Sequence, residues 1–218
     1  MLSDMRSIRA LCLLISPALP LLAEEPLPSP WKHQDIGVAE LLGAAAHVAG
    51  VFAVQGTMDI WGPADGCHLV WQPLHGDAEL VVRVTGMENP GGVDHAKASL
   101  SIRESLDAGS RGVTRSVTPT DGTQFLYREH KDGITTRVSR DADALKAGVP
   151  KGQFPCWLKI VRRGNDFSGY ESADGESWRL SGRIHLDLAE DTVAGLAASS
   201  HRKDILIKAV FDHVKFGK

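Results

Sequence analysis

Residues 79–84 read ELVVRV, with Leu80, Val82 and Val84 on one face of an extended chain and Val81 and Arg83 on the other. Side chains of a strand alternate in direction, so this period of two predicts a strand with one buried face. Residues 96–105, AKASLSIRES, repeat the pattern and set Ala98, Leu100 and Ile102 against Ser99, Ser101 and Arg103.

Outward from these two segments, strand-length runs fill most of the chain. They are GVFAVQG (50–56), CHLVWQPL (67–74), RGVTRSVT (111–118), TQFLYREH (123–130) and ITTRVSR (134–140). CWLKIVRRG (156–164), DFSGYES (166–172), SWRLSGRIHL (177–186), TVAGLAASS (192–200) and ILIKAVFDHVKF (205–216) follow. About a dozen strands is what two packed sheets require. HGD (75–77), KDG (131–133), RGND (163–166) and SADGES (172–177) separate strand-like runs with the residues that tolerate positive φ, which predicts hairpins and sequential antiparallel pairing. Only VAELLGAAAHV (38–48) and DADALKAGV (141–149) have helix-friendly composition, and both are short enough to be connecting turns. The expected class is all-β, a two-sheet antiparallel β-sandwich without repeats or internal linkers.

The chain has 218 residues, 43% hydrophobic and 23% charged, enough for one domain with its own core. Its first stretch differs in kind: Arg6 and Arg9 precede an apolar run from Ala10 to Ala23, broken by Ser16, Pro17 and Pro20 and followed by Glu24 and Glu25. That order reads as a secretory signal, and the alternative is an apolar segment packed on the domain. The run falls short of the about 20 apolar residues a membrane-spanning helix needs. The expected division is a signal over 1–23, an extended Pro-rich leader over 24–34 and the sandwich over 35–218, exported to a periplasmic or extracellular space and not inserted in a membrane. Loss of Asp4, Arg6 and Arg9 would take the formal charge from −3 to −4, which argues against nucleic acid as a partner. Two cysteines would remain, Cys67 and Cys156; in an oxidising compartment they either bridge neighbouring strands or stay as buried thiols.

Four segments resemble a known family: DIWGPADGCHLVWQPLHGDAELVVRV (59–84), SLSIRESLDAGSRGV (99–113), PCWLKIVRRGNDFSGYESADGESW (155–178) and VAGLAASSHRKDILIKAVFDHVKF (193–216). Their residues and order are similar to the DUF1349-type family of concanavalin A-like domains, from about Asp35 to Phe216. The resemblance implies a jelly-roll sandwich of the kind attached to extracellular enzymes and surface proteins. Cys67 stands where that pattern has an aromatic residue before the His, and Cys156 stands between Pro155 and Trp157. These departures favour a Cys67–Cys156 disulfide in this branch. A fold of this kind hosts many roles, so activity has to be argued from side chains.

The chain has no GxSxG, HExxH or CxxC motif, no glycine-rich phosphate loop and no ligand spacing among its nine histidines. It also lacks the E-x-D-x-E run that places two carboxylates about 5 Å apart in jelly-roll glycosidases. No catalytic residue, metal or cofactor is assigned. IRESL resembles the strand of jelly-roll polysaccharide lyases that carries an Arg and a Glu, without the accompanying Gln-Ile-His and Tyr-Lys-Tyr elements. On that alternative reading Arg103, Glu104 and His68 would act as charge neutraliser and acid or base in a lyase or hydrolase. Arg103 and Glu104 point to opposite faces of one strand, so Arg103 is the better ligand candidate and Glu104 is expected to bond a loop.

The leading candidates are polar and aromatic residues at out-of-core positions: His68, Arg83, Arg103, Arg128, Trp157 and Lys159. On neighbouring strands they would line one sheet face able to bind a sugar, rings stacking on Trp157 and guanidinium groups donating to hydroxyls or uronates. The alternative is a solvated face of structural ion pairs. In DIWGPAD, Asp59, Trp61 and Asp65 either form a rim contacting ligand or Ca²⁺, or are a core plug with two turn-capping aspartates. SADGESW resembles the aspartate box of β-propellers, a hairpin turn built by Ser172, Asp174 and Gly175 with Trp178 folded beneath it. The expectation is therefore a non-catalytic, exported recognition module for polysaccharide or another cell-envelope ligand, with a polysaccharide-active enzyme or a purely structural, protein-interaction domain as alternatives.

Overall fold

A computed structural model describes residues 26–139 and 149–217. The signal expected over 1–23, and all but the last residue of the helix-friendly 141–149, lie outside the described residues. Fourteen strands run through the described residues, beginning with β1 (Lys32–Ile36), β2 (Ala44–Val48), β3 (Val51–Met58), β4 (Cys67–His75) and β5 (Ala78–Glu88). The middle of the chain forms β6 (Lys97–Arg103), β7 (Gly112–Thr118), β8 (Gly122–Arg128) and β9 (Thr136–Arg137). The last five are β10 (Cys156–Arg163), β11 (Asp166–Ser172), β12 (Arg179–His185), β13 (Asp191–Ser199) and β14 (Arg202–Gly217). They make two antiparallel seven-stranded sheets, β1-β4-β13-β6-β7-β8-β9 and β12-β11-β10-β5-β14-β3-β2. Among the described residues no helix is long and apolar enough to cross a membrane.

The alternation in ELVVRV and ASLSIR positions the core. Leu80, Val82 and Val84 of β5 meet Leu158 and Ile160 of β10 and Ala98, Leu100 and Ile102 of β6, all without solvent exposure. Removing a branched aliphatic side chain from water contributes about 1.5–3 kcal/mol, so each such row holds its strand in register. Charged groups enter this core as well, among them Arg162 of β10, which lies 5.5 Å over the Phe167 ring. Arg115 of β7 crosses to the other sheet, donating to Glu171 at 2.8 Å, Ser181 at 2.6 Å and the Tyr170 carbonyl at 3.1 Å.

Several expectations need correcting. RGND, SADGES and KDG do join paired strands, but HGD links β4 to β5, which lie in different sheets, so it is a crossover. Within 38–48, AAAHV is the edge strand β2: its small residues pair with β3 as readily as they would wind into a turn. The leader ends early, because Lys32–Ile36 pairs with β4 and Trp31 packs 5.0 Å from the rings of both Phe52 and Phe216. All seven residues of β6 are buried, serines included, since the outer face of its sheet carries loops as well. Cys67 and Cys156 are separate free thiols, one under those loops on β4 and the other in the core on β10, so no bridge joins the sheets. Burial pushes both thiols up to about 12.

Candidate functional site

The outer face of the first sheet is built from the residues between the core positions. On β6 these are Lys97, Ser99, Ser101 and Arg103; on β8 they include Gln124 and Arg128. The serines tie β6 to β7, Ser99 to Ser116 at 2.9 Å and Ser101 to Thr114 at 3.0 Å. At one end of this face the loops 59–66 and 104–111 fold down over Cys67, Leu69 and Ala197, and Ile60, Leu106 and Ala108 supply the apolar cover.

The cover is pinned by Asp65. Its carboxylate accepts both terminal nitrogens of Arg128, at 2.6 and 3.0 Å, and a third bond from Arg103. The remaining donors are also used. Arg128 donates to the carbonyls of Gly133 (2.8 Å), Ser110 (2.9 Å) and Gly62 (3.1 Å) and to Thr135 (2.8 Å), while Arg103 donates to the Asp107 carbonyl at 2.7 Å. All three side chains are buried. Arg103 and Arg128 are thus loop anchors rather than sugar contacts, and the buried Asp65 carboxylate is given over to three guanidinium bonds. Among the described residues no group of three or more His, Cys, Asp and Glu is placed to hold a metal.

Beyond the covered end the same face opens into a cleft of about 260 Å³. Trp61, 46% exposed, forms one wall; Lys97, Gln124 and Arg137 line it from β6, β8 and β9. Asp59 and His201 border one side, His95 and Asp121 another. The polar groups are held in pairs: Asp59 accepts from Lys97 and contacts His201 Nδ1 at 2.7 Å, while Asp121 accepts from Gln124 at 2.9 Å and lies 3.4 Å from His95 Nδ1. Trp61 is therefore no core plug, and Asp59 and Asp65 grip cations instead of capping turns. Of the three expected rim residues, Asp59 and Trp61 line the cleft and Asp65 secures the loop that carries them.

The other expected ligand residues do not join this site. Arg83, Trp157 and Lys159 lie on the second sheet, whereas His68, Arg103 and Arg128 lie on the first. Arg83 pairs with Asp212 at 2.5 and 2.7 Å and sits 5.7 Å over Trp157; its hydrogen bonds hold the Asp212 carboxyl below the usual range. The Trp157 ring is covered elsewhere too, by His213 edge-on at 5.1 Å and by Gly175, where an added Cβ would lie 2.6 Å from the indole. It is Trp157, not Trp178, that fills the space beneath the SADGES turn. The turn itself forms as expected, with Ser172 bonding Asp174 and Gly175, and Asp174 accepting from Glu176 and Ser177 at 2.8 Å. Trp178 instead carries the Lys159 ammonium 4.1 Å from its ring centre, with Tyr170 at 5.2 Å.

His68 faces inward on β4, opposite Asp35 of β1. Its Nδ1 meets the Asp35 carboxylate at 2.8 Å and its Nε2 meets Nδ1 of His33 at 3.0 Å; burial lowers its affinity for a proton, against the pull of Asp35. Glu104 binds Arg111 at 3.0 and 3.1 Å on the loop, as expected. Arg103, Glu104 and His68 therefore have separate partners and form no common site.

No family model matches the chain, and no curated protein matches it in sequence. Solved structures do. A functionally unknown protein from Saccharomyces cerevisiae superposes with a TM-score of 0.60 at 12% identity, over 84% of this chain and 95% of that one. A lectin from Bauhinia forficata in complex with GalNAc gives 0.52 at 10% identity, over 87% and 92%. The Emp47p carbohydrate recognition domain gives 0.52 at 10% identity, over 89% and 90%. At such identities the likeness is one of fold: the chain is a concanavalin A-like jelly-roll β-sandwich.

Proposed function

We propose that the protein is an exported, non-catalytic recognition module that binds carbohydrate in the cleft beside Trp61. The observation that carries this reading is the exposed indole standing next to hydrogen-bonding side chains on three strands of one sheet, Lys97, Gln124 and Arg137. Sugar rings present an apolar face that stacks on an aromatic ring and an edge of hydroxyls that need directed donors and acceptors. Lectins among the structures of like fold support the choice of ligand class. Export rests on Arg6, Arg9 and the apolar run ending at Ala23, and membership of the DUF1349-type family rests on the order of the four segments quoted above. Screening the purified protein against plant, algal and bacterial polysaccharides tests the reading. Saturable binding to a glycan is expected; no binding across the panel would sink it.

A further inference from the structure

Both carboxylates of the cleft are already engaged from within it. Asp59 takes Lys97 on one oxygen and His201 on the other, and Asp121 takes Gln124 and His95. What the cleft has left to offer a ligand is mostly donors: the second amide N–H of Gln124, the free N–H of Lys97 and the Trp61 indole. Among the described residues that line the cleft, two cations, Lys97 and Arg137, stand with two carboxylates, Asp59 and Asp121, and the two histidines are the groups whose charge can change.

The histidines can change that balance. Their rings meet edge to face with centres 5.2 Å apart, and each directs Nδ1 at a carboxylate. With Nδ1 donating, Nε2 of a neutral ring is an acceptor; a proton there turns it into a donor and adds a positive charge. Of the other charged groups in the flanking segments, Asp94 adjoins His95 in the chain, Arg202 and Asp204 beyond His201 pair with each other at 3.0 Å, and Lys203 pairs with Glu40 at 2.9 Å. Two imidazolium rings at this separation repel, and an anion placed between them and Lys97 relieves the repulsion.

The geometry points to a cleft that selects glycans bearing an anionic substituent, a uronate carboxylate or a sulfate ester, and grips them more tightly as the pH falls. This inference rests on the carbohydrate reading of the same cleft. Calorimetry with an oligogalacturonate, its methyl ester and a sulfated galactan oligosaccharide, each at about pH 8 and about pH 5.5, tests it. One or both acidic ligands should bind in preference to the methyl ester, tightening roughly tenfold at the lower pH, an ordinary strength for coupling between two sites; which acidic ligand responds identifies the anion. The double variant His95→Gln/His201→Gln should flatten the pH dependence. Equal binding of the neutral ester at both pH values would overturn the inference and leave carbohydrate binding standing. Failure of every glycan would overturn both.

Discussion

Asp65 and Arg128 meet in a two-point contact at 2.6 and 3.0 Å with both side chains only 3% exposed, and this pair fixes where the Trp61 loop lies on the sheet. The same carboxylate also receives Arg103. Removing it would strand two buried guanidinium groups. Asp65→Ala is therefore expected to lower the unfolding free energy by about 3–5 kcal/mol in a denaturant titration. A loss below about 1 kcal/mol, the scale of an exposed pair, would contradict the anchoring role.

His68 gives the stability a pH dependence whose sign is set by burial. Its proton affinity in the fold lies below the ordinary value of 6.5, so below that pH the unfolded chain binds more protons than the folded one and stability falls. The thermal midpoint should drop between about pH 7 and about pH 5, and His68→Gln, less stable at neutral pH, should drop by less over the same interval. A steeper fall for the variant would reverse the assignment.

How much of this was legible beforehand depends on which question is asked of a strand. Period two placed Leu80, Val82, Val84, Ala98, Leu100 and Ile102 in the core, where they are. It does not say which sheet a strand joins. HGD looks like a hairpin turn yet carries the chain from one sheet to the other, and so period two alone groups Arg83, Trp157 and Lys159 with residues of the opposite layer. Nor does it show what lies on top of an outer face: Arg103 and Arg128 have the alternation of ligand residues and the contacts of loop anchors. The cleft was within reach all the same. Lys97 shares its face with Arg103, and Gln124 shares its face with Arg128, each at the open end of the same strand. His95, Asp121 and His201 come from turns, whose positions no periodicity reports.

The two thiols offer a chemical check on the interior. With both buried and held up to about 12, Cys67 and Cys156 should resist a thiol-specific reagent in the native protein and react fully in denaturant, as read by peptide mapping. A Cys67–Cys156 peptide recovered under non-reducing conditions would refute the arrangement of the sheets.

Gly175 tests the covered tryptophan. It has φ of +81°, and a methyl group there would strike the Trp157 indole. Gly175→Ala is expected to cost roughly 1–3 kcal/mol of stability. Glycan binding in the remaining folded protein should be unchanged, because the turn lies on the second sheet and the cleft on the first. Loss of binding without loss of stability would move the ligand to the Trp157 face.

The most direct trial of the account is a pair of calorimetric titrations with whichever glycan the screen identifies, using Trp61→Ala and Lys159→Ala in parallel. Trp61 lines the cleft, and Lys159 stacks on Trp178 on the opposite sheet. Losing one stacked ring should weaken binding by about 1–3 kcal/mol, roughly five- to 150-fold, for Trp61→Ala and leave Lys159→Ala at the wild-type affinity. Undiminished binding by Trp61→Ala together with weakened binding by Lys159→Ala would contradict it.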